Sequence, residues 1–242
     1  MIITSLNNEH IKELNKLKEK KERDKTNTFL IEGEHLVKEA LKYNIIEELI
    51  VLENVNFSTN IKTTIVSKEV MKKLSSMDSY PNVIGVCKKI NNNEIGNKIL
   101  LLEDIQDPGN LGTIIRSSVA FNIDTIILSS RTVDLYNPKV IRATQGMLFT
   151  TNIVIEEPKE IIEKLKKENY KIYGTKVDGG INIKNIEKPD KFILIIGNEG
   201  QGMSEKISSL CDEYLYIKMN KKVESLNAAV AASILLYELG NK

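Results

Sequence analysis

The residues able to do chemistry gather in three segments of the carboxyl-terminal part of the chain, each placing glycine and short polar residues after an apolar run. The first is Glu103-Asp104-Ile105-Gln106-Asp107-Pro108-Gly109-Asn110-Leu111-Gly112-Thr113-Ile114-Ile115-Arg116. Pro108-Gly109 fixes a turn, and Asn110 is placed to cap the helix that follows. Arg116 falls about two turns into that helix among apolar residues, where it either closes a buried salt bridge or reaches a phosphate or a reacting oxygen. The second segment, Gly197-Asn198-Glu199-Gly200-Gln201-Gly202, reads G-x-x-G-x-G and fails the G-x-G-x-x-G spacing of dinucleotide enzymes. Its glycines still let main chain approach a ligand closely, with Asn198 and Glu199 offering polar groups. The third, Ile217-Lys218-Met219-Asn220 leading to Glu224-Ser225-Leu226-Asn227, opens a helix of small residues that Ser225 or Asn227 can cap.

Several chemistries are excluded by what the chain lacks. His10 and His35 are the only histidines, so no Ser-His-Asp system with a histidine near these segments can form, and no histidine-based metal site is expected. Cys87 and Cys211 read as packed thiols. No apolar stretch approaches the roughly 18 residues that cross a bilayer, so no membrane span is expected. Met1-Ile2-Ile3-Thr4-Ser5 passes straight into a Lys/Glu-rich stretch, without the pattern of a secretory signal, which makes the cytoplasm the expected compartment. The formal charge of +1 hides an imbalance: arginine occurs only at Arg23, Arg116, Arg131 and Arg142, and lysine supplies every other strong base. An arginine kept against that bias hints at a use for its planar fork.

The elements that must position these residues follow from periodicity. With 242 residues, 41% of them hydrophobic and 28% charged, the chain suits one large domain or two small ones. Ile11 to Lys25 alternates Lys and Glu around Ile11, Leu14 and Leu17, predicting one exposed amphipathic helix. Strands at Thr28 to Gly33, Glu48 to Leu52 and Val83 to Lys88, with helices Glu34 to Tyr43 and Ser67 to Met77, make a first α/β domain over 1–91. Asn91-Asn92-Asn93-Glu94-Ile95-Gly96-Asn97 is dense in turn formers and reads as a linker. From 97 to 242 strands alternate with helices, and apolar runs such as Phe192 to Ile196 argue for a mostly parallel sheet covered on both faces.

Taken together the segments resemble a known family. Asp107-Pro108-Gly109-Asn110-Leu111-Gly112 through Arg116, then Asn137-Pro138-Lys139 with Arg142-Ala143 and Gly146, then Ile196-Gly197-Asn198-Glu199-Gly200, then Glu224-Ser225-Leu226-Asn227, are similar to the successive motifs of the SpoU/TrmH ribose methyltransferases of the SPOUT superfamily. The likeness covers about residues 97–242. Phe29-Leu30-Ile31-Glu32-Gly33 with Val37 and Glu39-Ala40-Leu41 resembles the substrate-binding domain that precedes this core in many members, whose fold is similar to small ribosomal RNA-binding proteins. Departures are small: Ala228 stands where valine is frequent, Thr150 where a basic residue is common, and His35 where arginine often stands.

The resemblance implies transfer of a methyl group from S-adenosylmethionine to a ribose 2′-oxygen in structured RNA, with large-subunit ribosomal RNA favoured over transfer RNA. It implies a trefoil-knotted α/β domain and a homodimer. By motif match, Asn110, Arg116, Glu199, Ser225 and Asn227 fall on the family's catalytic positions, and Gly197, Ile217 and Leu226 on its cofactor-contact positions, with no metal required. A guanidinium, whose solution pKa lies above about 12, is a poor base, so Arg116 is expected to hold a phosphate and stabilise the developing oxyanion. The rival readings are a transfer-RNA methyltransferase, a non-catalytic ribosome-assembly factor on the same fold, which would be expected to lose Asn110, Arg116 or Glu199, and a Rossmann-type nucleotide enzyme, which would need the missing glycine spacing.

Overall fold

A computed structural model describes residues 2–57, 59–91, 94–187 and 189–240; Asn92 and Asn93 of the expected linker lie outside the described residues. In chain order the elements are β1 (Ile2–Ile3), α1 (Glu9–Lys16), α2 (Lys20–Thr26), β2 (Thr28–Glu32), α3 (Glu34–Leu41), β3 (Ile46–Leu52), β4 (Thr63–Val66), α4 (Lys68–Leu74), β5 (Val83–Lys88), β6 (Lys98–Leu102), α5 (Pro108–Ala120), β7 (Thr125–Leu128), α6 (Pro138–Thr144), β8 (Asn152–Ile155), α7 (Pro158–Lys166), β9 (Lys171–Thr175), β10 (Ile181–Asn182), β11 (Phe192–Ile196), α8 (Glu205–Ser208), β12 (Glu213–Tyr216) and α9 (Ala228–Gly240). They divide into two units, residues 1–90 with 134–149, and residues 91–133 with 150–242.

In the first unit the sheet order is β1-β4-β3-β5-β2, with β5 antiparallel to both β2 and β3. Ile11, Leu14 and Leu17 join Val70, Met71 and Leu74 over Leu30, Ile50 and Ile84 on one face. The spacing of the first three is what the amphipathic reading required. The single helix expected over Ile11 to Lys25 is instead two, α1 and α2. Arg23 causes the break: its Nη1 donates to the carbonyls of Leu17 and Lys18, each at 2.7 Å, and Nη2 pairs with Asp134. A continuous helix would need those two carbonyls for its own N–H groups.

Asp134 introduces the main difference from the expected division at residues 91 and 97. The segment 134–149, which carries α6, packs with the first unit although it lies between β7 and β8 in the chain. Tyr136 stacks on Phe29 with ring centroids 4.6 Å apart, and its hydroxyl accepts from the Ile90 N–H at 3.0 Å. Leu135, Val140, Ile141, Leu148 and Phe149 are buried too. A chain cut at Asn91 would therefore keep this apolar segment and lose much of what covers it.

The second unit holds a seven-stranded sheet, β10-β12-β9-β11-β6-β7-β8, in which every pairing is parallel. Ile99, Leu101, Ile193 and Ile195 pack with Ile161, Ile162 and Leu165 of α7 and Ile207 of α8. The alternate residues Leu100, Leu102, Ile126, Leu194 and Ile196 are equally buried, as a sheet covered on both faces demands. α5 packs on α9, with Ser117 and Ser233 hydroxyls 2.7 Å apart and Phe121 edge-on to Tyr237. From β6 the chain steps outward through β7 to β8, then crosses to β9 and returns to insert β11 beside β6. Open parallel sheets bind ligands at the carboxyl ends beside such a reversal. There Leu102 is in register with Ile196, so the loops beginning at Glu103 and Gly197 leave the sheet side by side. No helix among the described residues is long and apolar enough to cross a membrane. Cys87 and Cys211 are free thiols, Cys87 buried and Cys211 partly so; burial pushes Cys211 up to about 11.

Candidate active site

Two glutamates tie the adjacent loops together from opposite sides. Glu103, 5% exposed at the end of β6, accepts from the Ser204 N–H (3.0 Å) and hydroxyl (2.6 Å) at the start of α8. Glu199, on the other loop, reaches back and accepts from the N–H groups of Gln106 (3.1 Å) and Asp107 (3.0 Å) and from the Asn110 side-chain amide (3.0 Å). Partial burial of Glu199 disfavours its charge, but the donors from Asn110, Asp107 and Gln106 outweigh it and hold the carboxyl below the ordinary value.

Asn110 can make that bond because it is not the helix cap. α5 starts at Pro108, whose missing N–H costs nothing at a first helical position, and Asp107 caps it by accepting the Asn110 N–H at 2.7 Å. The expected cap at Asn110 is thus displaced to Asp107, and the Asn110 side chain is left to bridge. Its Oδ1 accepts from Asn227 Nδ2 at 2.9 Å, while Asn227 Oδ1 accepts from the N–H groups of Ala229 (2.9 Å) and Val230 (3.3 Å) and so caps α9. Glu199, Asn110 and Asn227 form one continuous chain of bonds joining three loops.

That chain borders a cleft of about 370 Å³. One wall is the loop Gly197–Met203; a second comprises Leu215, Tyr216, Ile217, Met219, Ser225 and Leu226; a third is Thr175, Lys176 and Val177 at the end of β9. Gly197 has no room for a side chain, since a Cβ there would run into the main chain of Gly202 and Met203. Asn198 makes this turn rigid: its Oδ1 accepts from the Gly200 and Gln201 N–H groups, both at 3.0 Å, and its Nδ2 donates to the Asp104 carbonyl at 2.8 Å. Asp104 is itself in the left-handed region (φ 60°), held there by Ser129 at 2.7 Å and Arg131 at 2.5 Å.

Of the residues expected from sequence, Gly197, Glu199, Ile217, Ser225 and Leu226 line the cleft, and Asn110 and Asn227 stand behind it in the hydrogen-bond chain. Arg116 does neither. It is exposed on α5, and its side chain has no hydrogen bond or ion pair among the described residues, so the buried salt bridge offered as its plainer role is ruled out. Three features escaped the sequence reading: the Asp107 cap, the Glu103–Ser204 tie and the β9 wall. Pro108 directly after Asp107 was the available signal for the first. The third follows only from strand order, which puts Thr175 in register with Leu215.

The SpoU rRNA methylase family model matches residues 97–237, and that of the MRM3-like substrate binding domain matches residues 8–85. The 23S rRNA (guanosine(2553)-2′-O)-methyltransferase RlmP of Bacillus subtilis (strain 168) is 38% identical over 243 residues, covering 98% of each chain. The AdoMet-bound rRNA methyltransferase of Sinorhizobium meliloti has a similar structure, with a TM-score of 0.88 at 27% identity over 99% of this chain and 97% of that one. A crystal structure of an RNA 2′-O ribose methyltransferase gives a TM-score of 0.85 at 28% identity, covering 99% and 98%. With a family model spanning more than half the chain and a relative matched end to end, the chain belongs to the SpoU rRNA methylase family of methyltransferases.

Proposed function

We propose that the chain transfers a methyl group from S-adenosylmethionine to a ribose 2′-oxygen of large-subunit ribosomal RNA, at the guanosine equivalent to the one in the name of the B. subtilis relative. The observation that carries this reading is the cleft whose walls are main chain at Gly197 and apolar at Leu215, Ile217 and Leu226, with the ionised Glu199 at its border. Those walls suit an adenosyl group, and the carboxylate suits a cationic sulfur. When bound, that cofactor supplies a methyl carbon already activated by its sulfonium. Gly197, Ile217 and Leu226 hold it, Ser225 lies against it, and the Glu199–Asn110–Asn227 chain keeps the three loops at one spacing. No histidine is available in the second unit to take the proton. Arg116 orients the acceptor and stabilises the oxygen as it becomes negative.

Arg116 acts at the face of a homodimer. Val230 (49% exposed), Ile234 (37%) and Tyr237 (56%) form an apolar strip along α9, beside the Ser117–Ser233 contact next to Arg116. A second copy covers such a strip and gives the unpartnered guanidinium its place of action. The first unit binds the RNA, the segment after β12 is threaded as a trefoil knot, and the enzyme works in the cytoplasm. Ribosomal RNA is favoured over transfer RNA by the end-to-end match with the B. subtilis enzyme. A non-catalytic assembly factor is disfavoured by the intact set Asn110, Arg116 and Glu199.

The test is transfer of labelled methyl from S-adenosylmethionine to a transcript of the large-subunit RNA, followed by mapping of the modified ribose. Methylation at one guanosine, lost with Arg116→Ala while the cofactor still binds by calorimetry, is the expected result. Absence of cofactor binding ends the proposal.

A further inference from the structure

The first unit has a buried carboxylate of its own at the end of β2. Glu32 is 8% exposed and accepts from the Ser75 hydroxyl at 2.6 Å and from the N–H (2.9 Å) and hydroxyl of Ser76. Its capacity is spent on the loop after α4, which it holds in one arrangement. Two cations reach that loop from separate parts of the chain, and a third, on the last turn of α4, stands beside it. Lys18 Nζ donates to the carbonyls of Lys73 (2.6 Å) and Ser75 (3.0 Å), Arg142 Nη1 donates to the Ser76 hydroxyl at 3.0 Å, and Lys73 Nζ donates to the Leu6 carbonyl at 2.8 Å.

Elsewhere in this unit Lys12, Lys38, Lys42, Lys62, Lys88 and Lys89 each face a carboxylate. Lys18, Lys73 and Arg142 bond neutral oxygens instead. Burial pushes the Lys18 ammonium down, Glu32 draws it up, and neighbouring Lys73 pushes it down by a smaller amount, which places Lys73 within electrostatic reach of Lys18. Asp78, exposed on the same loop, forms no ion pair with any of the three among the described residues. Each cation has N–H groups left over after the bonds above, four of them on the Arg142 fork, so an incoming anion with several acceptor oxygens completes the cluster.

We infer that Lys18, Lys73 and Arg142 form a phosphodiester-binding site that takes the sugar-phosphate backbone of the RNA. The inference rests on the proposed RNA substrate and adds the residues that grip it. Such a site contributes affinity and orientation without reading bases. Arg142 makes it unusual, because it lies on α6, between β7 and β8 in chain order, and is one of the few arginines in a chain that otherwise uses lysine.

The test uses the full chain and a fluorescein-labelled transcript of the large-subunit RNA containing the proposed guanosine, with affinity measured by anisotropy across a salt series. Arg142→Ala is expected to weaken binding and to reduce the slope of log affinity against log salt by about 0.7–0.9, and the variant with Lys18, Lys73 and Arg142 all changed to alanine by about two to three times that. Arg142→Lys keeps the slope. Lys12→Ala, on an ion-paired surface lysine, leaves both quantities as in the wild type. Calorimetric affinity for S-adenosylmethionine stays unchanged in all four, which shows that each remains folded. A triple variant that matches the wild-type slope, or one that loses affinity with the slope intact, overturns the site. Variants that show the expected slope changes, beside a wild-type chain that binds the transcript but methylates no ribose, overturn the proposed function and leave the site standing.

Discussion

Arg23 and Arg116 are both retained in a chain that uses lysine almost everywhere else, yet they sit in opposite circumstances. Arg23, in the first unit, is 4% exposed and is consumed by the Leu17 and Lys18 carbonyls and by Asp134. Arg116, in the second, is exposed, and its side chain has no hydrogen bond or ion pair among the described residues. The same guanidinium fork is in one place a fastener and in the other an unused instrument. Composition can flag an arginine as wanted; only its partners say for what.

Removing each fork sharpens the contrast. Arg23→Ala leaves Asp134 without its cation and two carbonyls without donors, and is expected to cost about 3–5 kcal/mol in denaturant unfolding. Methyl transfer by whatever protein stays folded should be unaffected. Arg116→Ala should do the reverse, lowering kcat by about 10²–10³-fold with the unfolding midpoint unchanged. Arg116→Lys should recover little of that, since an ammonium lacks the planar fork. If instead Arg116→Ala destabilises the chain as much as Arg23→Ala, the contrast collapses and Arg116 is structural.

Smaller effects test the bonds around the cleft. Asp107→Ala removes the cap of α5 and should cost about 0.5–2 kcal/mol. Asn227→Ala should cost a similar amount and, by freeing Asn110, also weaken cofactor binding in calorimetry. Mildest is the response to acid. Glu199 titrates below the 4.5 of a free glutamate, so its contribution to holding the loops is complete above about pH 4.5 and fades as pH falls through the lower folded value. Cofactor affinity followed downward from neutral pH should stay level and then drop below about pH 4.5, and Glu199→Gln should flatten that drop.

The strands most readily legible were those with the densest β-branched runs. Val83–Lys88 and Phe192–Ile196 have the bounds that their composition predicts. Short edge strands such as Ile181–Asn182 carried too few residues to show periodicity, and they exist because a neighbouring strand offers them hydrogen bonds. The split between α1 and α2 was illegible for a different reason: its cause, Arg23, answers to a partner 111 residues away. In the cleft, the glycines and the Asn/Glu pairs were visible as types, whereas the displaced cap at Asp107 turned on whether Pro108 opened a helix or a turn. Both are ordinary uses of Asp-Pro, and the helix that follows decides between them.

The placement of residues 134–149 bears on how the protein is made. A ribosome delivers the chain from its amino terminus, and domains generally fold as they emerge. Here the first unit cannot finish when its own five strands are out, because Tyr136 and Asp134 have yet to be synthesised. Its completion must wait until more than half the polypeptide has been translated.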